Sequence, residues 1–283
     1  MRFLGTSAGE GIPTPFCECD ICRNARTKGG PEKRLRSSLR LSERVAIDLG
    51  ADFVAAAANL GESLYPLEHL LYTHTHEDHF NYHLIWTRFV ARRKLDRPLN
   101  IYFTGDAYSV LERFFFASPL TAGREQYTRP QDVCFHRLEF LGEHAIDGMT
   151  VVPLRGNHRT NIEPNSANYL FRFADGRTLY YGLDTGYYLD ETFEYLKNVK
   201  LDVLISECTA PMPGPERSRE HLNLTACLAV IDRLLAQGTV SPTTKVYLTH
   251  IAPVGWTHAQ LCDYLAALDR PYRVTVAFDG LTV

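Results

Sequence analysis

Short apolar runs separated by polar and turn-forming residues recur along most of the chain. Runs of this length, rich in aliphatic and aromatic residues, are typical of buried β-strands. They predict strands at 44–47, 70–73, 101–103, 151–154, 167–173, 178–183, 203–206 and 246–249. Asp175 and Gly176 lie between two of these ranges and predict a hairpin turn there.

Apolar residues at helical spacing predict helices at 83–94, 108–116 and 224–236, with Gly238 near the end of the last one. Strands and helices alternate in the second half of the chain, whereas hairpins dominate the middle. We therefore expect an α/β protein in which two sheets pack together and helices lie outside them. No break in composition marks a boundary, so residues 1–283 are expected to form a single domain.

Two stretches differ from their surroundings in composition. The stretch 23–40 is rich in lysine, arginine and glycine, which predicts a surface loop. The stretch 82–140 is rich in aromatic residues and predicts a largely helical insert. This insert could wall a cleft, form the contact of a homodimer or pack in the core, and the sequence leaves these roles open.

The composition, 45% hydrophobic and 22% charged over 283 residues, is ordinary for a globular protein. A net charge of −3 does not favour a general nucleic-acid-binding role. No apolar run approaches the about 18 residues of a membrane-spanning helix, and the first residues lack the features of a signal peptide. We therefore expect a cytoplasmic protein without membrane contact.

Three of the seven cysteines crowd together as Cys17, Cys19 and Cys22. In a long chain without a signal peptide, clustered thiols favour metal binding or redox chemistry over a disulfide framework. The other four are scattered and are expected to be small hydrophobic residues of the core.

The densest group of candidate ligands follows the predicted strand at 70–73. Residues 74–79 are His-Thr-His-Glu-Asp-His, so three imidazoles and two carboxylates fall within six positions. His74 and His76 alternate and can point into one cleft, and a turn into a helix would bring Asp78 and His79 back toward it. Such donors suit zinc, manganese, iron or nickel, and the segment could serve two adjacent cations.

Ligands from elsewhere in the chain are needed to complete such a site. His158, Asp184 and His250 each come just after a predicted strand. One polar residue in such a place is common. Four groups of ligands at four strand ends are much less common, and together they favour a shared metal site.

The pattern His-x-His-x-Asp-His at 74–79 resembles the signature of the metallo-β-lactamase superfamily. Asp48, within an Asp-x-Gly motif, matches the early motif of that family, and His158, Asp184 and His250 match its later ligands in order. The resemblance spans nearly the whole chain. It implies a metal-dependent hydrolase with an αββα sandwich, in which two mixed sheets carry helices on their outer faces.

From this ligand set we expect a binuclear centre with two divalent cations, manganese or zinc first, with iron or nickel also compatible. The expected ligands are His74, His76 and His158 for one cation, Asp78, His79 and His250 for the other, and Asp184 as the bridge. Asp48 is expected to orient a metal-binding histidine or a loop from outside the ligand set. Two cations about 3.5–4 Å apart could share a hydroxide and polarise a phosphoryl oxygen, with Asp78 and Asp184 as catalytic residues.

A narrower likeness concerns the start of the chain and two later segments. Residues 5–13, followed by the cysteine run at 17–22, look like the phosphoribosyl 1,2-cyclic phosphate phosphodiesterases of the carbon–phosphorus lyase pathway. Residues 220–224 and 278–280 are similar to segments of the same subgroup. The likeness implies a phosphodiesterase, and it assigns His221 as the general acid that protonates the leaving oxygen.

The same subgroup carries a structural zinc on its cysteine run, which implies a third, structural zinc on Cys17, Cys19 and Cys22. The fourth ligand of that zinc is a histidine at the position where this chain has Pro253. His258, five residues later, is the candidate substitute. Three thiolates and one imidazole would complete a tetrahedral site.

The leading interpretation is a phosphodiesterase that hydrolyses a small cyclic or ribose-linked phosphate ester. Alternatives are an RNA-processing nuclease, a lactone, thioester or β-lactam hydrolase, a protein like those of pyrroloquinoline quinone biosynthesis, and a metal-containing protein without catalysis. The basic run between Arg88 and Arg97 is best explained by the solvated face of a helix, so a nucleic-acid partner is not expected.

Overall fold

The computed structural model describes residues 1–91, 97–112, 131–160, 163–216 and 218–283. The strands in these ranges are β1 (Arg2–Gly5), β2 (Ser38–Arg40), β3 (Val45–Ile47), β4 (His69–Leu71), β5 (Leu99–Thr104), β6 (Val133–Leu138), β7 (His144–Ile146), β8 (Met149–Arg155), β9 (Ala167–Arg172), β10 (Thr178–Gly182), β11 (Val203–Glu207), β12 (Lys245–Thr249) and β13 (Val274–Val276). The α-helices are α1 (Asp20–Lys28), α2 (Phe53–Leu60), α3 (His83–Phe89), α4 (Gly105–Val110), α5 (Asp190–Leu196), α6 (Leu224–Ala236) and α7 (His258–Ala266).

The strands form two mixed sheets. The first has the order β1-β2-β3-β4-β5-β6, antiparallel from β1 to β3 and parallel from β3 to β6. The second has the order β13-β12-β11-β10-β9-β8-β7, antiparallel from β7 to β10 and parallel from β10 to β13. The predicted αββα sandwich is confirmed.

Side chains along each strand point alternately to the two faces of the sheet, and this alternation gives the protein three layers of core. In β3, Val45 and Ile47 face the other sheet, whereas Ala46 faces the helices outside. In β10, Tyr181 points between the sheets and Tyr180 points outward. Successive strand residues point to opposite faces, so the apolar runs of the sequence fill two faces of each buried sheet.

The helices that were predicted differ in how well their ends agree with the structure. Helix α6 spans the predicted range, and Asn223 begins it by accepting a hydrogen bond from the Ala226 amide at 3.0 Å. Helix α3 ends at Phe89, five residues before the predicted end, and α4 starts three residues earlier than predicted. The remainder of the helix predicted at 108–116 extends beyond the described residues. None of the described helices has the length and apolar character needed to cross a membrane.

The stretch 23–40 is not the surface loop that its charges predicted. It contains the second half of α1 and all of β2, and both Arg34 and Arg40 are buried. Arg40 lies 2.7 Å from Glu62, and Arg34 donates to the Thr6 hydroxyl at 2.8 Å. Charge content was misleading here because an arginine side chain can be buried when acceptors surround its guanidinium group.

The described part of 82–140 is less helical than its aromatic residues predicted. It supplies β5 and β6, two of the strands of the first sheet, together with the short helices α3 and α4. The aromatic residues 114–116 lie outside the described residues. Trp86 is exposed and stacks on His83 at a ring distance of 4.9 Å.

Two arginines that form ion pairs, Arg40 and Arg44, can test whether part of the stretch 23–40 is buried and not a surface loop. Arg40→Ala should lower the free energy of unfolding by about 3 kcal/mol, because it removes one of two arginine partners from the largely buried Glu62. Arg44→Ala removes a half-exposed partner of Glu68 and should cost much less, because solvent screens an exposed ion pair. Urea denaturation measures both values. If both variants lost equally little stability, Arg40 would behave as a solvated surface residue, which would contradict its buried position.

Candidate metal centre

The predicted ligands leave the ends of four strands and meet at one edge of the sandwich. The turn 73–79 follows β4, whereas His158, Asp184 and His250 follow β8, β10 and β12 of the other sheet. Hydrogen bonds join the two sheets beside the site, from the Ala167 amide to the Thr73 carbonyl at 2.7 Å. The site is therefore formed where the two sheets meet.

Three imidazoles form the first donor group. Nε2 of His74 lies 2.9 Å from Nδ1 of His76, and Nε2 of His158 lies 3.3 Å from the same atom. The three nitrogens are all within 4.8 Å of one another. The structure thus brings together the three residues expected to hold one cation.

The second donor group is centred on Asp184. Its Oδ2 lies 3.0 Å from Nε2 of His79 and 3.1 Å from Nε2 of His250. Asp78 Oδ2 lies 3.1 Å from the same His79 nitrogen. His74 and His79 both place a nitrogen within 4.8 Å of Asp184, so Asp184 stands between the two groups as a bridging ligand would.

The donor atoms fit divalent cations because several of them have no other partner. Nε2 of His79, Nε2 of His250 and Oδ2 of Asp184 are buried and make no hydrogen bond within the described ranges. Their distances from one another along Asp184 are those of ion pairs. Leaving a buried polar atom unpaired costs about 1–3 kcal/mol, which bound cations would relieve.

The protonation states also favour cation binding. Burial lowers the pKa of His74 well below its usual range, so this imidazole stays neutral and its nitrogen can bind a metal. Burial alone would raise the pKa of Asp184, but His250 and His79 hold it well below the usual range. Burial lowers the pKa of His79, but the nearby carboxylates, Asp78 first, raise it well above normal. A cation would replace the proton that His79 holds among these carboxylates.

His79 and His250 are each held from behind through the ring nitrogen that faces away from the donor group. His79 Nδ1 lies 2.9 Å from Oδ2 of the fully buried Asp48, which also accepts a hydrogen bond from the Thr73 amide at 2.8 Å. His250 Nδ1 lies 2.9 Å from the Thr209 hydroxyl. Such contacts fix the tautomer and orientation of a ligand, and Asp48 lies where this role was expected.

The backbone at three of these residues is strained. Asp48, Asp184 and His250 have φ angles of 51°, 46° and 59°, in the left-handed region that non-glycine residues rarely adopt. Each follows a strand directly or by one residue. Strain of this kind is found where a functional arrangement requires it, and here Asp184 and His250 supply donor atoms while Asp48 contacts His79 from behind.

His221 lies beside both donor groups, with ring-centre distances of 4.7 Å to His158 and 5.5 Å to His250. Its Nδ1 lies 3.3 Å from Glu207 and 3.8 Å from Asp184. Burial opposes protonation of His221, but Glu207 and Asp184 raise its pKa to about 9. One edge of the ring is therefore engaged with carboxylates.

Glu207 was missed by the sequence analysis. This fully buried carboxylate accepts hydrogen bonds from the Thr185 amide at 2.5 Å, the Leu222 amide at 3.1 Å and the Thr209 hydroxyl. It therefore connects the segments that carry Asp184, His221 and His250. Its position at the end of β11 was the available signal, because the other site residues also stand at strand ends.

Glu163 was also missed, and no local pattern indicates it. Its carboxylate is buried and accepts hydrogen bonds from the Thr75 amide at 3.0 Å and the Thr75 hydroxyl at 2.5 Å. Thr75 lies between the ligands His74 and His76. Glu163 thus anchors the turn that carries the first donor group.

The three clustered thiols come together, but His258 has other partners. The Sγ atoms of Cys17, Cys19 and Cys22 lie within 4.8 Å of one another. His258 Nδ1 is 2.7 Å from a guanidinium nitrogen of Arg34, and its Nε2 is 3.5 Å from Cys262 Sγ.

The prediction that His258 completes the cysteine site therefore disagrees with the contacts of its ring. Burial lowers the pKa of His258 to about 4, which keeps the ring neutral. Because Arg34 can only donate, Nδ1 accepts and Nε2 carries the single ring proton. Neither nitrogen then has a lone pair free for a metal.

Comparisons with known proteins identify the fold family. The profile of the family described as beta-lactamase superfamily domain matches residues 43–251. No curated protein matches the sequence.

Several solved structures share the fold at low sequence identity. A diphosphatase from the PhnP family has a TM-score of 0.71 at 22% identity, covering 99% of this chain and 95% of its own. The Zn²⁺-bound PqqB from Methylobacterium extorquens has a TM-score of 0.71 at 16% identity, covering 100% and 98%. The short form of human tRNase Z has a TM-score of 0.62 at 16% identity, covering 99% and 96%. At these identities the likeness shows the fold.

The contact between Asp48 and His79 can be tested by metal titration. Asp48→Asn should weaken binding of the second cation by about 10- to 100-fold, because an amide can donate to Nδ1 and move the ring proton to Nε2. Asp202→Asn is the control, since Asp202 caps the opposite end of β10 at the Thr178 amide. Calorimetric titration of the metal-free proteins measures affinity. Unchanged affinity in Asp48→Asn would contradict the orienting role.

Proposed function

Since the chain belongs to the metallo-β-lactamase superfamily of metal-dependent hydrolases, we propose that it is a phosphodiesterase acting on a small cyclic or ribose-linked phosphate ester. The observation that carries the proposal is the pair of donor groups that meet at Asp184, with His221 beside them. The two donor groups would serve metal-dependent hydrolysis in general. His221 beside them favours an ester whose leaving group needs a proton.

The donor set suits two divalent cations in this centre, with manganese or zinc as the first candidates and iron or nickel also compatible. When bound, such cations lower the pKa of water toward neutrality and offset the negative charge that develops on a phosphoryl group. The residues that would hold them are His74, His76 and His158 on one side, Asp78, His79 and His250 on the other, and Asp184 between.

His221 is the proposed proton donor. Its Nδ1 faces Glu207 and Asp184, so Nε2 is the atom left to donate toward a substrate. The ribose alkoxide is a poor leaving group, and a proton delivered to its oxygen stabilises the bond-breaking transition state. Glu207 acts through His221 by holding the ring at the required angle, and Asp184 and Asp78 act as ligands.

The fold relatives add support for phosphate chemistry. One similar structure is named a diphosphatase and another a tRNase, and both superpose over nearly the whole chain. The described residues favour a small substrate over RNA. Arg88 donates to the Asp132 and Arg97 carbonyls, and Arg97 pairs with Glu68 at 2.7 Å, so these cations of the basic run are engaged within the protein. Residues 92–94 of that run lie outside the described ranges.

We also propose that the protein works in the cytoplasm. No disulfide links the cysteines of the described residues, although Cys17, Cys19 and Cys22 lie close together. Unpaired thiols persist in reducing compartments and tend to oxidise elsewhere.

A substrate panel tests the choice of phosphate ester. The metal-loaded protein should hydrolyse bis-p-nitrophenyl phosphate and a ribose cyclic phosphate, and it should leave a lactone and a cephalosporin intact. Asp184→Ala is the control, because it removes the atom shared by the two donor groups. Preference for the lactone or cephalosporin would replace the proposal by carbonyl hydrolysis. Rapid cleavage of RNA with strongly salt-dependent binding would favour the nuclease.

The leaving group should reveal the role of His221. His221→Ala should slow hydrolysis of an alkyl diester by about 10²- to 10⁴-fold, the usual contribution of a general acid. It should slow the p-nitrophenyl ester far less, because p-nitrophenolate leaves without a proton. His83→Ala, at an exposed histidine, is the matched control. Equal losses on both esters would refute the acid role while leaving the hydrolase intact.

A further inference from the structure

The cysteine cluster at the start of α1 is held in place by the backbone around it. The Thr14 amide donates to Cys22 Sγ at 3.4 Å, and the Cys19 amide donates to Cys17 Sγ at 3.5 Å. Arg26 donates to the Cys17 carbonyl at 2.8 Å. Cys22 is buried, whereas Cys17 and Cys19 are half-buried. The three thiols are therefore held together by contacts with the surrounding chain.

The fourth side of this cluster is faced by the main chain. Cys19 Sγ lies 3.8 Å from the carbonyl oxygen of Pro253, a residue without a side-chain donor. His258, the candidate fourth ligand, is engaged by Arg34 and Cys262. A structural zinc ion takes four donors in a tetrahedral arrangement, and the cluster supplies three.

This side of the cluster lies at the protein surface. Phe16, next to Cys17, is fully exposed, and Val254, next to Pro253, is 44% exposed. Cys17 and Cys19 are themselves only half-buried, so solvent reaches the cluster. Sites that keep one position open for a solvent-derived ligand exchange that ligand readily, whereas closed four-ligand sites do not.

We propose that Cys17, Cys19 and Cys22 bind one zinc-class cation through three thiolates and leave its fourth position open to a small external donor, such as water, a thiol or an imidazole. Binding releases three protons, one from each thiol, so the site with a divalent cation carries one net negative charge. The open position makes the cation exchangeable.

Cobalt substitution separates this site from the histidine–carboxylate centre. Thiolate-to-cobalt charge-transfer absorption arises only from the cysteine site, because the ligands proposed for the other centre contain no sulfur. Cys17→Ser should weaken this absorption and so confirm its source. Added imidazole should shift the cobalt bands of the wild-type protein, because it enters the open position.

Variants at Pro253 provide the matched comparison. Pro253→His places an imidazole on the fourth side, so added imidazole should no longer shift the bands. Its zinc should pass to a chelator roughly tenfold or more slowly than in the wild type. Pro253→Ala adds no donor and should keep the wild-type response. Should Pro253→His fail to fold by circular dichroism, the imidazole titration of the wild type and of Pro253→Ala decides alone.

Three outcomes would overturn the proposal, and none depends on catalysis. A wild-type spectrum that ignores imidazole would show a closed site, with the Pro253 carbonyl as its fourth ligand. A changed cobalt spectrum or a lost cation in His258→Ala would make His258 the fourth ligand. Protein isolated without this cation and with two thiols fewer than seven by thiol titration would show a redox pair.

Discussion

Three buried atoms without hydrogen-bond partners among the described residues, on His79, Asp184 and His250, set the requirement that governs this molecule. Oδ2 of Asp184 lies 3.0 Å from Nε2 of His79 and 3.1 Å from Nε2 of His250. Buried polar atoms in proteins are usually paired, and three unpaired atoms of this donor chemistry in one place point to cations. The surrounding turns and hydrogen bonds hold these atoms together against the cost of burying them.

The fold meets this requirement through the direction of its strands. Because β10, β11 and β12 run parallel, their carboxyl ends meet at one edge and present Asp184, Glu207 and His250 side by side. The turn after β4 approaches from the other sheet and is joined to β9 by the Ala167–Thr73 hydrogen bond. Buried Asp48 and Glu207 then fix the histidines from behind, which sets both tautomer and angle.

One short segment relates this centre to the cysteine cluster. His250 belongs to the histidine–carboxylate centre, and Pro253 faces the thiols of the cysteine cluster with its carbonyl. Between them, Ile251 pairs with the start of the chain, where its carbonyl accepts from the Ala8 amide at 3.0 Å. The two sites therefore share this short segment, although their chemistry differs.

The chain by itself determined the sandwich, most of its strands and the residue types of the candidate centre, because strand periodicity and the ligands that end a strand are local features. It did not indicate that Glu207 would join three segments, or that Arg34 would be buried. Nor did it indicate that Arg34 would donate a hydrogen bond to a ring nitrogen of His258. These depend on which distant segments meet. Hydrogen bonds and burial follow from packing in three dimensions, so only the tertiary structure decided them.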